Sequence, residues 1–193
     1  SSSANLAKSL QRLSSGSKIV SPEDDAAGLG VSMKFDAQSS RIDAAKNNVS
    51  NATSFTQTQD GFLQQVSTAL DRMSELSVSA QDITKTDSDR ALYQAEFSQL
   101  ASYVSNITGK DFNGVSLFTS SAKNVTIDSD ANTWSMTAVD MSISAYSAIT
   151  GGSQTVATTT GAVSALAAVK AAITQLAADR ANIGASLARL SYT

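Results

Sequence analysis

The chain has 193 residues, 41% of them apolar, and a formal net charge of −3, which suffices for one domain with a core or at most two. It contains no Cys and no His, which excludes thiolate nucleophiles, disulfide frameworks and imidazole acid–base chemistry, and deprives zinc and haem sites of their commonest ligands. With 14 Lys and Arg against 17 Asp and Glu, no basic stripe is available for nucleic acid.

No run of 18 or more apolar residues occurs, so no membrane-spanning helix is predicted, and Ser1 to Leu10 lacks the basic and apolar regions of a secretory signal. Cysteine absence fits either a reducing cytosol or an exported protein that avoids cross-linking.

The first strong local signal is Ser21-Pro22-Glu23-Asp24-Asp25. It predicts a helix with Ser21 as N-cap, Pro22 at N1 and the three carboxylates in the first turn, where exposed N–H groups favour negative charge. From Ile42 onward apolar residues fall into heptad columns: Ile42, Val49, Leu63, Leu70; then Ala45, Ala52, Val66, Met73, Ala80; then Phe55, Phe62, Ala69, Leu76, Ile83. A stripe three positions wide suits a helix packed against more than one neighbour. Ser21 to Gln81 has no proline after Pro22, so an unbroken helix there would be roughly 90 Å long, which predicts a rod.

Asp82 to Asp89 reads as a turn, with Thr86 or Asp87 capping the next helix. Tyr93, Phe97, Leu100, Val104 and Ile107 then repeat at spacings of four and three, a second amphipathic helix that folds back antiparallel and ends at Gly109. Asn113-Gly114 predicts a turn. Val125-Thr126-Ile127 and Trp134-Ser135-Met136 alternate around Asp128 to Thr133 as a hairpin, and Ser147 to Gly161 reads as a loop. In the last segment Leu166, Val169, Ile173, Leu176, Arg180, Ile183, Leu187 and Leu190 occupy successive a and d positions. Arg180 breaks that column, either setting register or snorkelling its head into water; snorkelling is the slightly favoured expectation.

The fold class is therefore mainly α: an elongated antiparallel bundle of three long helices, two N-terminal and one C-terminal, with a small β-hairpin region. Residues 1–118 carry the first two helices and a turn, 119–160 the hairpin and loop, and 161–193 the last helix, together one rod-like domain.

Candidate chemistry is sparse. Asp128-x-Asp130-x-Asn132 opens like a calcium loop, but Thr133 stands where that loop needs Gly and Val139 where it needs Glu. Gly28-x-Gly30 lies within a predicted helix and lacks a third glycine. Asn48, Asn51, Asn106 and Asn124 open Asn-x-Ser/Thr triplets, which a chain this rich in Asn, Ser and Thr produces by chance. No catalytic residue, cofactor site or metal site is expected, and an assembly module is the class that remains.

Leu10 to Gly28, including Leu13-Ser14-Ser15-Gly16 and Asp24-Asp25-Ala26-Ala27-Gly28, closely resembles the N-terminal signature of bacterial flagellins. Asp111-Phe112-Asn113-Gly114 is similar to the family's segment after its second helix, and Leu176 to Ala185 to its C-terminal helix. The resemblance runs from about Leu6 to Leu190 and implies the family's D1 rod without the terminal D0 segments or a large central insertion. It implies a non-enzymatic filament subunit that polymerises with copies of itself outside the cell after passing through the flagellar export apparatus. An export chaperone is expected only for the full-length chain, and neither nucleic acid nor membrane is an expected partner. Kinship also implies recognition by a Toll-like innate receptor through Arg72, Glu75 and Leu76 on the first long helix and Glu96 on the second. Leu76 sits in a heptad column, so that role holds only if the side chain is exposed. The runner-up is the family's hook–filament junction protein, distinguished by low copy number; an enzyme would need a carboxylate-lined cleft, and a plain coiled-coil scaffold would dimerise through Leu166 to Leu190.

Overall fold

The structure, a computed structural model, describes residues 2–193. Its axis is α2, Ala26–Ser79, whose 54 residues give a length of about 80 Å at 1.5 Å per residue. The predicted start is corrected. Ser21 to Asp24 forms a turn closed by Asp24 N–H donating to the Ser21 carbonyl at 3.0 Å, and Asp25 is the N-cap, accepting from Gly28 N–H at 2.8 Å. Several capping residues stand in succession here, and the carboxylate three residues before Gly28 has the geometry to close the first turn.

Before α2 lies a helix that the sequence reading did not anticipate, α1, Ser2–Ser15. Gly16, at φ +66°, breaks the chain after it, in the left-handed region that glycine enters freely.

The chain turns back after α2 into α3, Asp87–Thr108. Thr86 and Asp89 form a reciprocal capping box, each side chain bonding the other's backbone N–H. The two helices run antiparallel: Arg72 pairs with Glu96, and seven residues back on α2 Gln65 accepts from the Tyr103 hydroxyl seven residues on along α3. Between them Leu63, Val66, Leu70, Met73, Phe97, Val104 and Ile107 are buried. Gly109 ends α3 as predicted, capping it at φ −89° with its N–H donating to the Ile107 carbonyl.

Two short antiparallel hairpins follow. Strands β1, Asp111–Phe112, and β2, Val115–Ser116, flank Asn113 and Gly114 at φ 52° and 76°, the paired positive values of a tight hairpin turn. Strands β3, Lys123–Thr126, and β4, Thr133–Met136, form the hairpin that the alternation predicts, in a register that sets Val125 opposite Trp134 and Thr126 opposite Thr133. The Asp128 carboxylate fills its own turn, accepting from the Asp130 and Asn132 N–H groups at 2.9 Å each.

The predicted loop is partly helical. Helix α4, Ser144–Thr150, escaped notice because Ser and Thr dominate its exposed side, whereas Tyr146 and Ile149 are fully buried. Helix α5, Thr159–Ser191, then returns antiparallel along α2. Part of α5 is long and apolar enough to cross a membrane by length and composition alone, a property it shares with helices that pack along a protein core. Ala162, Ala165, Val169, Ala172, Leu176, Ile183 and Leu190 bury against the bundle, and small residues there let α5 approach closely.

Arg180 does not simply snorkel. Its Nε reaches Asp60 Oδ1 of α2 at 2.8 Å and its Nη2 reaches Oδ2 at 3.3 Å, a two-pronged bond that locks the two helices at one axial position.

Candidate protein-interaction surface

Helical spacing divides α2 between two duties. Leu70, Met73 and Leu76 point into the bundle, while Arg72 and Glu75, one turn apart, point out. On α3, Phe97 faces inward and Glu96 outward, which brings Glu96 opposite Arg72.

The three charged side chains form one network. Arg72 Nε and Nη2 donate to the two Glu96 oxygens at 2.6 and 3.0 Å, and Nη1 donates to Glu75 at 2.9 Å. Bonding to Glu96, then to Glu75, raises the Arg72 guanidinium above its ordinary value, and the same bond to Arg72 holds Glu96 below the usual carboxylate range. All three are solvent-accessible, so they form a fixed, charged relief rather than an acid–base site.

Leu76 is only 2% exposed, which corrects its expected role. Its heptad position commits it to the core, so Arg72, Glu75 and Glu96 remain on the surface without it. Apolar surface near this face comes from Val78, Leu92 and Ile83, the last 92% exposed although it falls in a heptad column. Ile83 lies beyond the end of α2, where the helical period no longer governs which way a side chain points.

Arg90 shapes the turn that displays Ile83. Buried at 6% exposure, it donates from Nε to the Ala80 carbonyl at 2.8 Å, from Nη2 to the Asp82 carbonyl at 2.9 Å and from Nη1 to Asp87 at 3.0 Å. It thus satisfies carbonyls that the end of α2 leaves without helical partners. Sequence reading had no signal for this, since an Arg in the first turn of a helix is ordinarily solvated.

A second bare surface lies at the other end of α2. The buried residues of this helix begin at Ala45, so residues 26–44, about 28 Å of helix, carry Val31, Met33 and Phe35 in the open. Val31, Phe35, Ile42, Ala45 and Val49 keep to spacings of three, four and seven, so the core stripe continues past the point where its cover stops. On α1, Leu6, Leu10 and Leu13 are likewise exposed at helical spacing, a pattern from which α1 could have been predicted.

Among the described residues no group of three or more acidic, His or Cys side chains could hold a metal ion. The Tyr146 hydroxyl donates to buried Asp179 at 2.6 Å, and Gln175 donates to the other Asp179 oxygen at 2.9 Å. Burial, then the bond to Asp179, raises the Tyr146 phenol, which makes this pair an anchor of α4 on α5.

Comparison with known proteins bears on the fold and the family. The family model for the bacterial flagellin N-terminal helical region matches residues 1–123. The flagellar filament 41 kDa core protein of Borreliella burgdorferi is 43% identical over 104 residues, covering 54% of this chain and 31% of that protein. A flagellin of Serratia marcescens is 36% identical over 141 residues, covering 72% of this chain and 40% of that one. The chain thus spans less than half the length of these curated relatives. The crystal structure of Bacillus cereus flagellin superposes with a TM-score of 0.65 at 26% identity, covering 76% of this chain and 86% of that one. The family match over residues 1–123, most of the chain's length, and a fold shared with the solved relative lead to one statement of kinship: this chain belongs to the bacterial flagellin family.

Proposed function

We propose that this chain is a structural, non-enzymatic subunit of the bacterial flagellar filament, located outside the cell and polymerising with copies of itself by head-to-tail and lateral helix packing. The observation that carries the reading is the bare third of α2, where an apolar stripe in register with the core runs on past its cover. A long helix with such a stripe is complete only when another helix lies on it. Contacts between different faces of successive subunits generate an open helical tube rather than a closed dimer. The names of the relatives, filament core protein and flagellin, support the same reading. Passage through the export apparatus, with a chaperone on the full-length chain, follows from it.

Electron microscopy of the full-length protein after induced polymerisation tests the proposal: helical filaments are expected, and persistent monomer under conditions that polymerise a related flagellin overturns it. Abundance separates the alternative, because a junction protein would form a trace band in sheared flagella.

A second reading concerns recognition by a Toll-like innate receptor. Its support is the Arg72–Glu75–Glu96 relief, rigid and exposed on the α2–α3 face. An Arg fixed in one geometry suits an interface hot spot, since less freedom is lost on binding. Leu76 is no part of this reading, being core.

A further inference from the structure

Helix α1 presents a packing anomaly. It buries none of its residues, and Leu6, Leu10 and Leu13 face solvent, yet it keeps a defined place beside the start of α2. An isolated helix of 14 residues is marginal in water, so something other than apolar burial must hold it.

The ion pairs of α1 converge on one carboxylate. Lys8 Nζ contacts Asp24 Oδ1, and Arg12 Nη2 lies 3.6 Å from the same oxygen. Asp24 is itself withdrawn, its side chain 4% exposed, and its second oxygen accepts from the Val20 and Ser21 N–H groups at 3.2 and 3.5 Å. Lys8 and Arg12 are one turn apart on α1, so both reach Asp24 from a single face. Leu6, Leu10 and Leu13 lie on the opposite face of the helix and stay open. Gly16 at φ +66° reverses the chain so that α1 can fold back onto this carboxylate.

We propose that Lys8, Arg12 and Asp24 form an ionic latch that holds α1 against the entry to α2 and fixes which of its faces points outward. Asp24 has two roles there: one oxygen closes the Ser21 turn, and the other receives both cations. Because the latch is electrostatic and its cations are about half exposed, salt screens it while leaving the apolar core intact. Helix α1 is then a segment whose docking responds to ionic conditions independently of the bundle, and the latch stands whether or not the chain polymerises.

The test is amide hydrogen exchange of the 193-residue chain, followed by mass spectrometry over residues 2–15, at ~50 mM and ~1 M NaCl. The native chain at low salt is expected to exchange about three- to tenfold more slowly there than Lys8→Ala/Arg12→Ala, with high salt removing most of the difference. Asp24→Asn is expected to match the double variant and to lose the salt response. Since Asp24 also closes a turn, the double variant, which leaves that turn intact, is decisive. If Lys8→Ala/Arg12→Ala exchanges like the native chain, or if the native segment is unprotected at low salt, the latch is overturned. Residues 60–76, deep in the bundle, serve as the internal control and are expected to be unchanged in every variant.

Discussion

Arg180 and Asp60 lie 120 residues apart in the chain and meet through two hydrogen bonds, at 2.8 and 3.3 Å, at the middle of the α2–α5 contact. Much of the α5 surface against α2 is small and aliphatic, and alanines tolerate sliding by a turn far better than a directional bond does. The pair therefore selects one axial register for two long helices. Its net stabilisation is modest, because both side chains are about a third exposed and solvent screens them. A double-mutant cycle with Arg180→Ala and Asp60→Ala is expected to give a coupling of about 0.5–1 kcal/mol by urea unfolding. Arg180→Glu is expected to destabilise more than either alanine, since it sets two carboxylates against each other, and pairing it with Asp60→Lys should restore most of the loss.

Arg90 is a different case, being buried and bonded to two carbonyls at the end of α2. Arg90→Ala removes the side-chain donor of the Ala80 carbonyl and one of the two donors of the Asp82 carbonyl, which keeps the Lys85 N–H at 3.2 Å, and is expected to cost about 2–3 kcal/mol, as bonds to charged donors do. Arg90→Lys should recover only part of this, because an ammonium cannot reproduce the planar fork that serves Ala80, Asp82 and Asp87 together. Chemical denaturation midpoints read the loss, and equal midpoints for native and alanine forms would refute the assignment.

Acid should weaken the fold through its helix ends and turns. The Thr86 N–H and hydroxyl hold the Asp89 carboxyl below its ordinary value, the Thr84 N–H and hydroxyl do the same for Asp82, the Asn132 side chain and N–H for Asp128, and the Ser142 hydroxyl and N–H for Asp140. Each native carboxyl binds its proton less readily than in the unfolded chain, so each stabilises fully above the unfolded value. That contribution disappears as pH falls through the lower native value. Thermal stability is expected to be flat from about pH 5 to pH 8 and to fall below about pH 4. Asp89→Asn should lower the plateau and flatten the acid limb, which calorimetry across that range would reveal.

Period carried most of the sequence reading. The long helix, its antiparallel partner, the C-terminal helix and the second hairpin were all legible, because burial imposes a repeat of 3.6 or 2 on the residues; the hairpin's register, Val125 opposite Trp134, was not. Short or charge-held elements escaped it. Helix α4 rests on two side chains, Tyr146 and Ile149, too few to display a period, whereas α1 carried a short leucine period that went unread, and only its place, set by ion pairs, lay outside what hydrophobic patterning registers. The start of α2 slipped from Ser21 to Asp25 because both residue types cap helices equally well. Of the candidate contact residues, the three charged ones proved to be neighbours across two helices, which heptad phase alone does not fix. Leu76 was decided by that same phase, and the decision placed it inside.

The charged relief on α2 and α3 separates recognition from stability. Arg72 is half exposed and both its partners are more than two-fifths exposed, so solvent replaces much of what Arg72→Ala removes. The melting temperature is therefore expected to stay within about 2 °C of the native value. If this face engages the receptor as proposed, the same variant should shift the dose–response of receptor-bearing cells by tenfold or more, the scale of a hot-spot truncation. Glu96→Gln tests whether the fork matters beyond the charge. It keeps one acceptor for Arg72 but loses the two-pronged geometry, and it is expected to fall between the native protein and Arg72→Ala. Leu76→Ala makes the opposite control: loss of a buried leucine is expected to cost about 2–5 kcal/mol and to lower the melting temperature clearly. An unchanged dose–response for Arg72→Ala alongside an unchanged melting curve would remove Arg72 from the contact surface and leave the network a cross-helix strap alone.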